Sequence, residues 1–81
     1  MNRKPKHFFD KIVGDTGERI LDKVRKQIGP VAVHCNSEGY AVEIYPAPAI
    51  HYANFLGNAK SLRAALMIAL KKWRQVEENA E

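Results

Sequence analysis

The chain has one cysteine, no long apolar run and no sequence motif that is specific to a catalytic or ligand-binding activity. A single cysteine excludes an internal disulfide and suits a reducing compartment. No apolar stretch approaches the ~18 residues that a membrane-spanning helix needs. The basic start of the chain is not followed by the apolar segment of a signal peptide. We therefore expect a cytoplasmic protein without a membrane partner.

Basic residues are missing from the middle of the chain. Between residues 29 and 57 the charged side chains are Glu38 and Glu43, although the whole chain carries a net charge of +4. The excess of Lys and Arg therefore lies toward the two ends of the sequence. Cationic contacts with a partner are confined to the N-terminal tail and the predicted helices.

The length and composition predict one folded domain. The chain has 81 residues, of which 46% are hydrophobic and 27% are charged, as in globular proteins. We expect a flexible basic tail over residues 1–6, a single compact α+β domain over 7–78 and a short C-terminal end over 79–81. A core of this size leaves little room for an enclosed active site beside it.

Two helices are predicted in the first third of the chain, near residues 7–13 and 16–28. Glycines at 14 and 17 interrupt the helical pattern, because glycine is unfavourable inside a helix. Asp15 and Glu18 have the spacing of a capping box, which predicts the start of the second helix. Gly29-Pro30 ends that helix.

A β-hairpin is predicted next. The alternating segments 31–35 and 40–45 flank the turn residues 36–39, which we interpret as a four-residue loop. We expect Cys35 to pair with Tyr40, because this register places the apolar residues of both strands on one face. Residues 50–55 fit either a third strand or an irregular connection.

The final helix is predicted over residues 58–76, with Asn58 or Ser61 as the N-cap, and it carries two stripes. The apolar stripe consists of Leu62, Ala65, Leu66, Ala69, Trp73 and Val76. The second, called the basic stripe below, consists of Lys60, Arg63, Met67, Lys71 and Arg74. The two stripes lie roughly opposite each other at ~100° per residue. The helix up to residue 76 contains no acid that could pair with the basic stripe, which favours contact with acidic groups of a partner.

These elements predict an α+β fold in which the helices pack on one face of a small antiparallel sheet. The element order resembles that of double-stranded-RNA-binding domains, in topology only. Those domains carry a lysine-rich cluster at the start of the final helix, where this chain has Lys60 and Arg63. Their basic loop between the first two strands corresponds here to residues 36–39, which include Glu38.

The outer face of the predicted hairpin is expected to be open. It carries Ala32, His34, Ala41, Glu43 and Tyr45, with Tyr52 and Phe55 close by in the sequence. Solvated sheet faces usually display Thr, Lys or Arg, so these small and aromatic residues favour protein contact or self-association. The predicted partner-binding residues are those of the basic stripe together with His34, Glu43, Tyr45 and Tyr52.

Catalysis is not expected. Cys35 lies on the apolar side of the hairpin, where a free cysteine usually acts as a small buried hydrophobe, and no Lys or Arg is close in sequence to activate it. His34 points to the other face of the strand, and the chain has no closely spaced pair of zinc ligands. We predict no metal and no cofactor. A thiol enzyme or small hydrolase centred on Cys35 and a histidine is the least favoured alternative.

With catalysis not expected, two functional hypotheses remain. The first is a small non-enzymatic interaction module, a regulator or inhibitor of the kind that phages make. It would dock on an acidic protein surface or a protein complex through the sheet face and the basic stripe, and homodimerisation through the sheet face is left open. The alternative is direct nucleic-acid binding, in which the basic tail and the final helix contact phosphates with strong salt dependence.

Overall fold

The computed structural model describes residues 4–46 and 54–79. Within these ranges the chain forms three helices and three strands. Their order is α1 (Lys4–Ile12), α2 (Gly17–Gln27), β1 (Val31–Asn36), β2 (Gly39–Ile44), β3 (Phe55–Ala59) and α3 (Leu62–Asn79). The strands form one antiparallel sheet in the order β1-β2-β3. The predicted α+β fold is confirmed.

The predicted hairpin register is confirmed, since Cys35 pairs with Tyr40. The loop is shorter than predicted, because pairing continues to Asn36 and Gly39 and leaves a two-residue turn. Two local features stabilise this tight turn. The Asn36 side-chain oxygen accepts a hydrogen bond from the Glu38 backbone N–H at 2.8 Å, and Gly39 has a φ of 136°, which favours glycine.

The third strand lies further along the chain than the segment considered for it. β3 begins at Phe55, and residues 50–53 lie outside the described part of the chain. Gly57 lies in this strand, and α3 passes so close to it that a Cβ at this position would meet the Ala65 carbonyl oxygen. Because residues 58 and 59 belong to β3, the helix starts after residue 61 rather than at 58. Ser61 is its N-cap and accepts the Ala64 N–H at 3.1 Å.

The first two helices differ from their predicted starts. α1 begins at Lys4, so residues 4–6 form its first turn instead of belonging to a flexible tail. α2 is capped by Thr16, whose hydroxyl accepts the Arg19 N–H at 3.2 Å, and not by the predicted capping box. Asp15 instead accepts a hydrogen bond from Lys23 at 2.7 Å.

The core lies between the sheet and the helices. α3 packs over β2 and β3, α2 packs against β1 and α3, and α1 packs against α3. Trp73 is buried as predicted, with its ring edge-on to Phe8 at a centroid distance of 5.8 Å. Two apolar residues differ from expectation: Phe55 belongs to the core instead of the open side, and Val76 is exposed near the end of α3. No helix in the described ranges is long and apolar enough to cross a membrane.

Candidate functional site

The side of the sheet that faces away from the helices is called the outer face. The alternation of side chains along each strand assigns residues to it. Two cross-strand rows form its centre, Ala32–Glu43–Leu56 and His34–Ala41–Asn58. By the same alternation, Tyr45 and Asn54 continue the face just beyond the ends of β2 and β3. The predicted residues His34, Glu43 and Tyr45 thus lie on one surface, whereas Tyr52 lies outside the described residues.

The outer face has an apolar centre. Leu56 is 50% exposed there, and its row and the next include the half-buried Ala32 and Ala41. Tyr45 is 38% exposed at one end of the face. These side chains form a small apolar patch on the outer face that is accessible to a partner.

Glu43 is held in place by two neighbours on the outer face. The Tyr45 hydroxyl donates to one carboxylate oxygen at 2.7 Å, and the Asn54 amide donates to the other at 3.0 Å. Each oxygen keeps a further acceptor site, because a carboxylate offers about four. The arrangement presents a fixed negative charge next to an apolar centre. The strand residues of this face include no Lys or Arg, and Lys60 follows β3 at the hairpin end.

The same hydrogen bond changes the acidity of the phenol. Donation to Glu43 raises the pKa of Tyr45 above its ordinary value, and partial desolvation and the carboxylate charge act in the same direction. Because the folded-state pKa is raised, this bond stabilises the fold at neutral pH. That contribution is lost as the pH rises through the pKa of the phenol.

We expect Glu43→Gln to lower the pKa of Tyr45 toward its ordinary value, because the substitution removes the charge but keeps the side-chain shape. Ultraviolet difference titration of the folded protein measures this pKa, and Tyr45→Phe identifies which transition belongs to Tyr45. The corresponding titration of Asn54→Ala is the control, since it leaves the Tyr45–Glu43 bond in place. An unchanged transition in Glu43→Gln would show that the bond does not form in solution.

The four stripe residues on α3 lie on the other side of the domain, because α3 packs on the inner face of the sheet. Lys60 was predicted to belong to this helix, but it lies in the connection between β3 and α3. Three of the five stripe residues have intramolecular contacts. Arg63 donates to the Asp15 carbonyl oxygen at 3.0 Å. Arg74 pairs with Glu78 at 3.0 Å and lies 5.4 Å from the centre of the Phe9 ring. Met67 packs against the core.

Lys60 and Lys71 are the exposed remainder of the stripe, without a hydrogen bond or ion pair to the described residues. Lys71 lies on the helical side of the domain, whereas Lys60 lies beside Asn58 at the hairpin end of the outer face. A single flat partner therefore cannot contact the outer face and the α3 part of the stripe at once.

Cys35 is exposed, which corrects the expectation of a buried thiol. It lies on the inner side of the sheet, but at the hairpin end, where the strand is no longer buried. Its hydrogen bond with Tyr40 raises the pKa of that phenol above its ordinary value, and the charge of Glu18 acts in the same direction. No group of three or more His, Cys, Asp or Glu within the described ranges is placed to hold a metal ion.

Concave regions lie at the hairpin end and among the helices. At the hairpin end, Lys60 and the outer-face residues Ala41 and Asn58 line a groove of about 270 Å³. A more open region of about 630 Å³ beside the turn is lined by Cys35 and Lys60. A cleft of about 240 Å³ lies among the helices. The cleft is lined by His7, Phe8, Lys11, Gln27, Ile28 and Trp73. The floor of this cleft consists of buried core residues, so it adds little apolar surface that a ligand could contact.

The sequence did not predict that three residues in or next to β3 belong to the outer face: Asn54, Leu56 and Asn58. The alternation of buried and exposed residues in β3 is short and contains a glycine, so it gave a weaker strand signal than the hairpin. Phe55 followed by Leu56 was the available indication, because a period of two places them on opposite faces.

Comparison with known proteins adds no assignment. No protein-family model matches the chain. No curated protein and no solved structure matches it either. Function is therefore inferred from the surface chemistry described above.

Proposed function

We propose that this protein is a non-enzymatic interaction module whose outer sheet face docks on a partner protein. The observation that carries the proposal is the combination of the half-exposed Leu56 with the fixed carboxylate of Glu43, in strand rows whose other residues are uncharged. An apolar anchor beside a pre-oriented polar group is the arrangement that gives protein interfaces both affinity and register.

The charge of the outer face indicates the chemistry of the partner. Glu43 accepts hydrogen bonds from two neutral donors of this chain, Tyr45 and Asn54. Its remaining acceptor sites are available to a donor group of a partner protein. A partner that places an apolar side chain against Leu56 and an Arg or Lys against Glu43 satisfies both features. A charge-assisted hydrogen bond of this kind is stronger than one between neutral groups.

Contacts within the helical layer favour this function over direct nucleic-acid binding. Six basic side chains have partners within the chain: Lys23, Lys26 and Arg74 contact carboxylates, and Arg25, Arg63 and Lys72 contact backbone carbonyls. The Lys26 and Arg74 pairs are exposed. Phosphate binding would have to rely on exposed cations such as Lys60 and Lys71. The turn between β1 and β2 contributes Glu38, an acid, at the position where the resembling RNA-binding domains are basic.

Docking through the outer face supports a regulatory role by occlusion or bridging. The face is too open to enclose a substrate, and Cys35 and His34 project to opposite sides of the sheet. A small module that covers part of a partner protein can inhibit it or recruit it to a second molecule. We propose that this happens in the cytoplasm, since an exposed free thiol suits a reducing compartment.

The experiment compares two matched substitutions. Leu56→Arg places a charge at the centre of the outer face, and Ile68→Arg makes the same change at an exposed apolar position of α3. Tagged forms of the wild type and both variants are used for affinity capture from the source cell, with quantification by mass spectrometry. We expect the specific partner to be retained by Ile68→Arg and reduced at least about tenfold by Leu56→Arg. Circular dichroism verifies that both variants are folded.

The same samples distinguish the alternatives. If the bound material is lost in a Lys60→Glu/Lys71→Glu variant and kept by Leu56→Arg, binding runs through the basic stripe and an acidic partner. Nuclease treatment and titration with random duplex RNA and DNA at several salt concentrations then separate protein from nucleic acid. Tight nucleic-acid binding with a steep salt dependence would replace the proposed function.

A further inference from the structure

The open edge of β1 has backbone groups that point away from the sheet. The Tyr45 N–H donates to the Pro30 carbonyl at 2.8 Å, which fixes the alternation along the hairpin. Residues 32, 34 and 36 therefore direct their backbone groups toward β2. Val33 and Cys35 direct theirs outward, and these groups have no partner among the described residues.

The two edges of the sheet differ in protection. β3 is five residues long, contains Gly57, and its outward Leu56 carbonyl accepts a hydrogen bond from Lys72 at 2.8 Å. β1 is six residues long and contains no charged residue, proline or glycine. Arg25 covers the Val31 carbonyl at 3.3 Å, at one end of β1. Short strands, charges and prolines are the usual means of preventing edge pairing, and most of β1 lacks them.

We propose that two copies of this protein associate through their β1 edges, as an antiparallel pair centred on His34. In this register Val33 of each copy faces Cys35 of the other, and their outward N–H and C=O groups form four hydrogen bonds. The Arg25 contact with Val31 lies beyond the paired residues and is retained. Because β1 contains no Lys, Arg, Asp or Glu, no such charges repel each other at the two-fold axis that relates the two copies.

The register also determines distances across the axis. The two His34 residues form a non-hydrogen-bonded pair, in which Cα atoms lie roughly 4.5 Å apart. The two Cys35 residues are offset by two positions along the strands, which places their Cα atoms roughly 8 Å apart. Disulfides form at Cα separations of roughly 4.4–6.8 Å, so a cysteine at position 34 crosslinks and the native one does not.

The pairing would produce a continuous six-stranded sheet with two outer faces side by side. It does not depend on the proposed function, because the hydrogen bonds involve the backbone edge of β1, and only His34 at the centre of the pairing also belongs to the outer face. A second copy is the proposed occupant because the outward groups of Val33 and Cys35 lie symmetrically about His34, so a two-fold axis there pairs all of them, and the uncharged strand meets no like charge. We expect a weak dimer, since the interface is small.

Crosslinking tests the register. His34→Cys in a Cys35→Ser background is expected to form a disulfide-linked dimer under mild oxidation. Asn58→Cys in the same background is the control, because it adds an exposed cysteine on the outer face at the opposite edge. Equal crosslinking of both variants, or rapid crosslinking of wild-type Cys35 in place of position 34, would overturn the proposed pairing.

A charge exchange at the axis tests the association itself. Sedimentation of the wild type is expected to show a concentration-dependent dimer of the 9.2 kDa chain. His34→Glu and His34→Lys should each weaken the homodimer roughly fivefold, since like charges then face each other. Mixing the two variants should restore association. A wild type that stays monomeric, or a mixture that does not associate, contradicts the proposal even when partner capture through Leu56 succeeds.

Discussion

Replacing Trp73 by alanine is expected to lower the free energy of unfolding by about 3–5 kcal/mol. The indole is 4% exposed and packs edge-on against Phe8, so its removal takes apolar contact and aromatic pairing from the same place. Total stability of a domain is about 5–15 kcal/mol, so this loss threatens folding itself. Urea or thermal denaturation of the variant measures the effect.

Val76→Ala is the matched control, because Val76 lies on the same helix and was predicted to belong to the same apolar stripe. It is 42% exposed in the structure, so we expect a change within about 0.5 kcal/mol. Near wild-type stability of Trp73→Ala would mean that the indole is not part of the core. It would also require a different orientation of α3 on the sheet.

Replacing Gly57 by alanine is expected to destabilise the protein by at least about 3 kcal/mol, at or beyond the upper end of the usual cost of overpacking. The added Cβ would overlap the Ala65 carbonyl oxygen and lie 2.9 Å from the Ala69 backbone nitrogen. Both obstacles are backbone atoms of α3, so no side-chain rotation relieves them. The helix would have to move away from β3.

Asn58→Ala tests whether this cost comes from the close approach of the helix and not from a change in strand propensity. Asn58 is adjacent to Gly57 and exposed on the outer face, so its replacement should change stability by within about 0.5 kcal/mol. Equal stability of the Gly57→Ala and Asn58→Ala variants in chemical denaturation would contradict the tight packing of α3 on β3.

Elements with strong periodic patterns were predictable from sequence. The hairpin register followed from the alternation around Cys35 and Tyr40, because a slip of one residue would move apolar side chains to the wrong face. The buried side of α3 followed from its 3.6-residue spacing, except at Val76, where the helix extends past its packing partners. Boundaries were less accurate, since caps such as Thr16 compete with neighbouring residues of similar capping ability.

The candidate site was only partly predictable. His34, Glu43 and Tyr45 were assigned to the outer face from the period of two. The role of Leu56 depended on locating β3, whose pattern is short. The basic stripe was read as a uniform surface, but Arg63 and Arg74 are held by Asp15 and Glu78. Contacts such as that between residues 15 and 63 join distant parts of the chain, so periodicity along one helix does not reveal them.

The sequence by itself determined the fold class, the hairpin register and the buried side of the final helix, because local periodicity reflects which face each element must bury. Tertiary structure decided the exposure of Cys35, the separation of the α3 part of the basic stripe from the outer face, and the position of β3. These features depend on where one element ends relative to another packed over it. α3 leaves the hairpin end uncovered and approaches β3 at Gly57, and that placement arises from packing between segments far apart in the chain.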